Sequence, residues 1–207
     1  MNIGTWITVL TLGVLVVLSP GPNWAVTIKN GIYSKRTGLA TVFGMAAGTL
    51  IHISYCLIGI GVLVSQSILL FNLIKWAGAI YLIYIGVKSL FSKKNNREWI
   101  TTGKKELTSW VAFYNGFLTD LLNPKATLFY LALFTQVIHS ETPLVIQFLY
   151  GITVLEIEII WYSLMVFFLN HHWIRKGFMS VSHWVERITG AILIGLGIRL
   201  FISKNEH

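Results

Sequence analysis

The sequence predicts an all-α integral membrane protein of six transmembrane helices, arranged as a 3+3 inverted repeat with two of the helices broken by proline. Three observations carry that prediction. Hydrophobic residues make up 55% of the 207-residue chain and charged ones only 12%, with a mean hydropathy of +0.68, whereas soluble domains carry about 25% charged residues. Six apolar runs can be marked out, at 3–30, 38–64, 68–91, 110–138, 143–169 and 184–202, each near or beyond the ~20 residues that cross a bilayer core. The first and fourth runs are interrupted by Ser19-Pro20-Gly21-Pro22-Asn23 and by Asn123-Pro124-Lys125. Pro20 and Pro124 stand 104 positions apart, half the chain length.

The first run is about 28 residues, some 42 Å as a straight helix against a core of about 30 Å. A break at Ser19–Pro22 relieves the excess, because proline lacks the backbone donor and clashes with the preceding turn. In hydrocarbon such a break is tolerated only where the freed backbone groups line a cavity or are covered by protein. The N-terminus has no charged stretch or small-x-small cleavage pattern, so this run is expected to stay as an uncleaved span. The second and third runs follow, with Gly44 and Gly48 in one and Gly78 and Gly86 in the other. The fourth run breaks at Pro124, the fifth is continuous, and the sixth carries Gly190 and Gly195. Each half is thus a broken span, a long span and a glycine-bearing closing span. Three is odd, so related halves must sit in opposite orientations, as in inverted-repeat transporters. The expected units are 1–91, a linker at 92–109, and 110–207.

A net charge of +8 would suggest nucleic acid in a soluble protein. Here twelve of the sixteen basic residues fall in alternate loops, so the positive-inside rule explains them and no nucleic-acid partner is expected. Loops one (Lys29, Lys35, Arg36), three (Lys88 to Lys105) and five (Arg175, Lys176, Arg187) are expected in the cytoplasm, with both termini outside. The linker reads as a solvated basic loop held by inner-leaflet charge. Cys56 is the single cysteine, which excludes an internal disulfide and reads as a small packing residue.

A helix N-terminus exposes unpaired amides and partial positive charge, a ready anion site. Half-helices starting near Asn23 and Lys125 could therefore hold a carboxylate, the alternative being a pair of packing kinks. SPGPN at 19–23, GAIYLIYIG at 78–86 and GFLTDLLNPK at 116–125 resemble the lysine-exporter-type (LysE/RhtB) translocators, bacterial inner-membrane exporters of amino acids, over essentially the whole chain. The resemblance implies efflux of an amino acid or small analogue driven by proton exchange. The family often carries Asn where Asp120 stands here. Pro20, Gly21, Pro22, Asn23, Asn123, Pro124 and Lys125 are the expected substrate-binding residues, with Tyr81 added because it lies in the family-like GAIYLIYIG.

Ionisable groups inside spans cost at least about 2.5 kcal/mol each on insertion scales and mark function by default. Asp120, Lys125, Glu156, Glu158 and His52 qualify. The 104-residue offset sets His52 opposite Glu156, giving a candidate proton-coupling pair, with Asp120 third. For His52 the alternative is an interhelical bond to a backbone carbonyl. Glu158 lies about 200° round the helix from Glu156, so only one of the two readily faces a cavity. Lys125 either pairs with an acid or meets the substrate. His171, His172 and His183 lack supporting ligands and read as solvated, so neither a metal nor another cofactor is expected.

These features together describe a membrane exporter working by alternating access, embedded in lipid and taking a small-molecule amino-acid substrate, with glycine faces that could serve either packing within the chain or a homo-oligomer. Rival readings are a divalent-cation exporter, which would want clustered His, Cys or Asp, and an intramembrane enzyme. The latter would need a nucleophile–base pair or an HExxH motif, and the sequence has neither.

Overall fold

The computed structural model describes residues 3–66, 68–91, 107–138 and 142–169 and, of the last apolar run, positions 184, 187, 188, 190–195, 197, 198, 201 and 202. Every described regular element is helical: α1 (Ile3–Leu18), α2 (Pro22–Tyr33), α3 (Lys35–Gln66), α4 (Ile68–Leu90), α5 (Ser109–Leu121), α6 (Pro124–Val137) and α7 (Leu144–Leu169). Most of the linker, together with His171, His172 and His183, lies outside the described residues.

Local chemistry sets the helix ends. Pro22 and Pro124 occupy the first turns of α2 and α6, where proline's missing donor costs nothing and its fixed φ favours the helix. The chain stops at Leu18, restarts at Pro22 and bends by 57° between the two axes. At the second break the Asn123 side chain caps α6 by accepting from the Lys125 amide at 3.0 Å. The Thr108 hydroxyl caps α5 by accepting from the Val111 amide at 3.3 Å. Ser34, the one residue between α2 and α3, accepts from the Thr37 amide at 3.1 Å. A side-chain oxygen at such a position satisfies one of the orphan amides of a first turn.

Glycines decide which helices touch backbone to backbone. Gly44 of α3 lies against the Phe113 carbonyl of α5, and Gly116 of α5 lies reciprocally against the Thr41 carbonyl of α3. One turn further on, a Cβ at Gly48 would come within 2.8 Å of Asp120 Oδ2. On α4, Gly78 abuts Ala132 of α6, and Gly86 meets the Gly190 carbonyl while Gly190 meets that of Gly86. These glycine faces are therefore spent on contacts inside the chain. One apolar core joins α1, α3, α6 and α7 through Val9, Leu12, Cys56, Phe134 and Val154, and a second joins α2, α3 and α7 through Trp24, Met45, Tyr162 and Val166.

The outside is as apolar as the inside. Ile3, Ile58, Leu69, Trp110, Leu144 and Val145 are each about two-thirds exposed or more, and large apolar side chains exposed in this way suit lipid and not water. The protein is thus an all-helical membrane protein. By length and apolarity alone, α3 and α7 each suffice to cross a bilayer, and α1 with α2 makes a third, bent, crossing. At 13 and 14 residues, α5 and α6 are each too short to cross singly.

Candidate functional site

The two proline breaks face each other across a small cavity. It is lined by Val16, Val17, Ser19 and Gly21 at the first break, Asn123 and Lys125 at the second, and by Asn23, Thr49, Asp120, Tyr130 and Glu158 between them. About 30 Å3 of free space remains at its centre, room for about two waters. Buried polar side chains this deep in an apolar bundle must be paired, and here they pair with one another.

Asn23 is the hub of the first break. Its amide donates to Asp120 Oδ1 at 2.7 Å, and its carbonyl accepts from Asn123 Nδ2 at 3.0 Å. The two breaks are thereby tied side chain to side chain. Lys125 reaches back across the gap and donates to the Ser19 carbonyl at 2.6 Å, with the Val16 carbonyl at 3.5 Å. Trp24 Nε1 donates to the Val17 carbonyl at 2.6 Å. The Val16 and Val17 carbonyls belong to the last turn of α1 and the Ser19 carbonyl follows directly on it, at the negative end of the helix dipole, where a cation is well placed. Lys125 thus pairs with backbone carbonyls in addition to lining the cavity, whereas the sequence left an acid or a substrate as its partner. Gly21 lies 3.6 Å from the Lys125 side chain as measured from a Cβ position, so the small residue leaves the lysine its path.

The acids fall differently from expectation. Glu156 is exposed on α7, and Glu158, two residues on, is 4% exposed and faces the cavity. The expected His52–Glu156 pair is therefore not formed. His52 is instead held by Nδ1 against the Tyr55 hydroxyl at 2.7 Å and by Nε2 against the Asp120 backbone carbonyl at 3.1 Å. Its Nε2 also stands 3.5 Å from Asp120 Oδ2, and its ring stacks on Tyr130 with centroids 5.6 Å apart. The interhelical carbonyl bond set out above as the alternative for His52 is what the geometry contains. The 104-residue offset matches depth along two helices, and depth does not fix which face turns inward: Glu156 is on the exposed side of α7.

Thr49 is the residue the sequence reading missed. Its hydroxyl lies 2.6 Å from Glu158 Oε2 and 3.2 Å from Asp120 Oδ2, joining α3, α5 and α7 at one oxygen. A signal for it existed: Thr49 is a polar residue in an apolar span, three positions before His52 and so on the same side of α3. Tyr81 is half-buried on α4 beside Tyr84 and does not line the cavity. Pro20 and Pro22 shape the break without lining it, as Pro124 does at the other. Among the described residues no three of His, Cys, Asp and Glu are grouped to hold a metal ion.

Comparison with known proteins places the chain. A family model described as LysE type translocator matches residues 14–204. An uncharacterized membrane protein of Vibrio cholerae is 34% identical over 99% of this chain and 100% of its own length. The homoserine/homoserine lactone efflux protein of Salmonella typhimurium is 31% identical over 77% of this chain and 78% of its own. The leucine efflux protein of Klebsiella pneumoniae is 27% identical over 94% and 93%. No solved structure matches.

Proposed function

The chain belongs to the LysE type translocator family, and from that premise we propose that it exports an amino acid or a close analogue across the inner membrane of a bacterial cell. The observation that carries this reading is the cavity at the two breaks, which presents two acids, Asp120 and Glu158, and one ammonium, Lys125, inside an apolar shell. A free amino acid bears one charge of each sign, and such a lining can meet both. The carboxylate goes toward Lys125 and the first turn of α2, which no side chain caps. The ammonium goes toward the acids. Relatives named for homoserine and leucine efflux support a small substrate, and a family of translocators supports transport over catalysis.

Alternating access, export driven by proton exchange and the 3+3 inverted repeat belong to the same proposal. In support of the repeat, α2 and α6 both begin at proline after a break. Gly86 and Gly190, 104 positions apart, also pack on each other reciprocally. On this reading α5 with α6 forms the second broken span, basic loops one, three and five face the cytoplasm, and both termini lie outside. Pro20, Pro22 and Pro124 serve by breaking the helices, and Gly21, Asn23, Asn123 and Lys125 by lining the substrate path.

The test is a screen of cells overproducing the protein against toxic amino-acid analogues, with metal salts as a parallel arm. It is followed by efflux of the matching labelled amino acid. Resistance to an analogue together with faster efflux is expected. Resistance to metal salts alone would replace the amino acid by a cation as cargo.

A further inference from the structure

Thr49 has one hydroxyl hydrogen and stands between two carboxyl groups. Its oxygen is 2.6 Å from Glu158 Oε2 and 3.2 Å from Asp120 Oδ2, both within hydrogen-bonding range for O–H···O contacts or just past it. An ionised carboxylate only accepts, and a hydroxyl donates once. Were both acids ionised, one of these two contacts would set lone pair against lone pair, with two negative charges a few ångströms apart in a site that is almost wholly buried. One added proton resolves both problems. A carboxyl donates to Thr49 Oγ1, Thr49 donates to the other carboxylate, and the three oxygens form a continuous chain.

The surroundings hold that arrangement. From α2, Asn23 donates to Asp120 Oδ1 at 2.7 Å and lines the cavity beside Glu158. From α3, His52 is engaged at Nδ1 by Tyr55 and at Nε2 by the Asp120 carbonyl, with Nε2 also 3.5 Å from Asp120 Oδ2 as the nearest titratable neighbour of the bridge. From α6, Tyr130 lines the cavity and Lys125 is turned to the α1 carbonyls. From α7, Tyr162 completes the wall. The free space beside the dyad, about 30 Å3, is room for about two waters.

We propose that Asp120, Thr49 and Glu158 form a single exchangeable cation site, in which one proton in the bridge and the ammonium group of the substrate replace each other. This rests on the exporter reading and gives it a coupling device. With the proton bound, the dyad carries one negative charge and Thr49 ties α5 and α7 to α3. When the proton leaves, Thr49 can donate to one carboxylate only, the tie to the other helix is lost, and the cavity can widen. An incoming ammonium then offers donors to both carboxylates. The charge of the site is again minus one, so neither state buries an uncompensated second charge. Within the bridge the proton also has two places. If Glu158 gives its proton to Thr49 Oγ1 as Thr49 gives its own to Asp120 Oδ2, the acid and the carboxylate exchange roles with no net change in protons. Export of one amino acid thereby carries one proton the other way.

The experiment uses the full chain purified in detergent, with leucine, threonine and homoserine as probes and 4-methyl-2-oxopentanoate, which lacks the ammonium of leucine, as control. Binding is measured by calorimetry from pH 5.5 to 8, and proton release is read in weakly buffered solution with a pH indicator. Wild type is expected to release close to one proton per amino acid bound and none with the keto acid. Below the pH where the bridge fills, its dissociation constant should rise about tenfold per pH unit lost, as for a ligand competing with one proton. Glu158→Gln, with Asp120→Asn as the second variant, should bind without proton release and without that slope. Thr49→Ser should keep the slope, and Thr49→Val should move the pH at which it begins. A wild-type affinity independent of pH, or proton release persisting in both acid variants, overturns the proposal while leaving the exporter reading standing. Failure of all three amino acids to bind overturns both.

Discussion

Replacing Gly116 by alanine tests whether the α3–α5 crossing sets the position of Asp120. The added methyl would fall on the Thr41 carbonyl, with the Thr41 carbonyl carbon at 2.9 Å and its Cα at 3.1 Å. These are backbone atoms of a packed helix, so no side chain can turn aside and the two axes must separate. Overpacking of this kind costs about 1–3 kcal/mol, and contact with backbone puts the substitution near the top of that range. Alanine returns up to about 1 kcal/mol through its better helix propensity. The expected net loss is about 2 kcal/mol, roughly a 30-fold fall in the folded-to-unfolded ratio. Gly59→Ala is the control, because nothing lies within 4 Å of a Cβ there, and it should be neutral or stabilising. Gly44→Ala strikes the same crossing from the other side, so the double variant should lose less than the sum of the two, the first separation having made room for the second methyl. The assay is reversible unfolding of the purified protein in mixed detergent micelles, with amino-acid efflux measured alongside. Efflux should fall with stability, since Asp120 lies one turn beyond Gly116 and moves with α5. A Gly116→Ala protein as stable as Gly59→Ala, or strictly additive glycine variants, would refute the claim that backbone contact at this crossing carries the site.

Other expectations are as direct. Glu156→Gln should leave efflux near wild type, because its carboxylate is exposed, and an uncoupled Glu156→Gln would return the proton role to that residue. Lys125→Met should destabilise by about 1–3 kcal/mol in the same unfolding assay, since it strips the donor from the buried Ser19 carbonyl; unaltered stability would show the lysine to be dispensable to the break. Exchanging both Pro20 and Pro22 for alanine should let α1 run on toward α2, reducing efflux while membrane abundance holds. A reporter active only in the cytoplasm should work when inserted in 92–109 and fail when fused after His207; activity at both sites would sink the proposed orientation.

Composition and periodicity settled the helical class, the membrane environment and the two breaks, because each depends on the chain's own covalent features. A run of some twenty apolar residues can satisfy its backbone in lipid from within the one segment only as helix, and Pro22 and Pro124 cannot donate to a continuing one whatever surrounds them. The short motifs at 19–23, 78–86 and 116–125 carried the family for a related reason, since they are local strings. What remained undecided was which face of each helix turns inward. Glu156 and Glu158 differ by about 200° round α7, and a helix apolar on almost every side has no polar stripe to say which is buried. That answer came from the packing of α7 on α1, α2 and α3, where Thr49 and Tyr162 complete the wall around Glu158. The partner of His52 was hidden likewise. It is the carbonyl of Asp120 at the end of α5, brought there only because Gly44, Gly48 and Gly116 let two backbones touch. Thr49 looked like any helix threonine until two carboxylates, 71 and 109 residues away in sequence, converged on its one hydroxyl. A side chain's type is written in the sequence, but its chemistry here depends on neighbours that only the tertiary fold assembles.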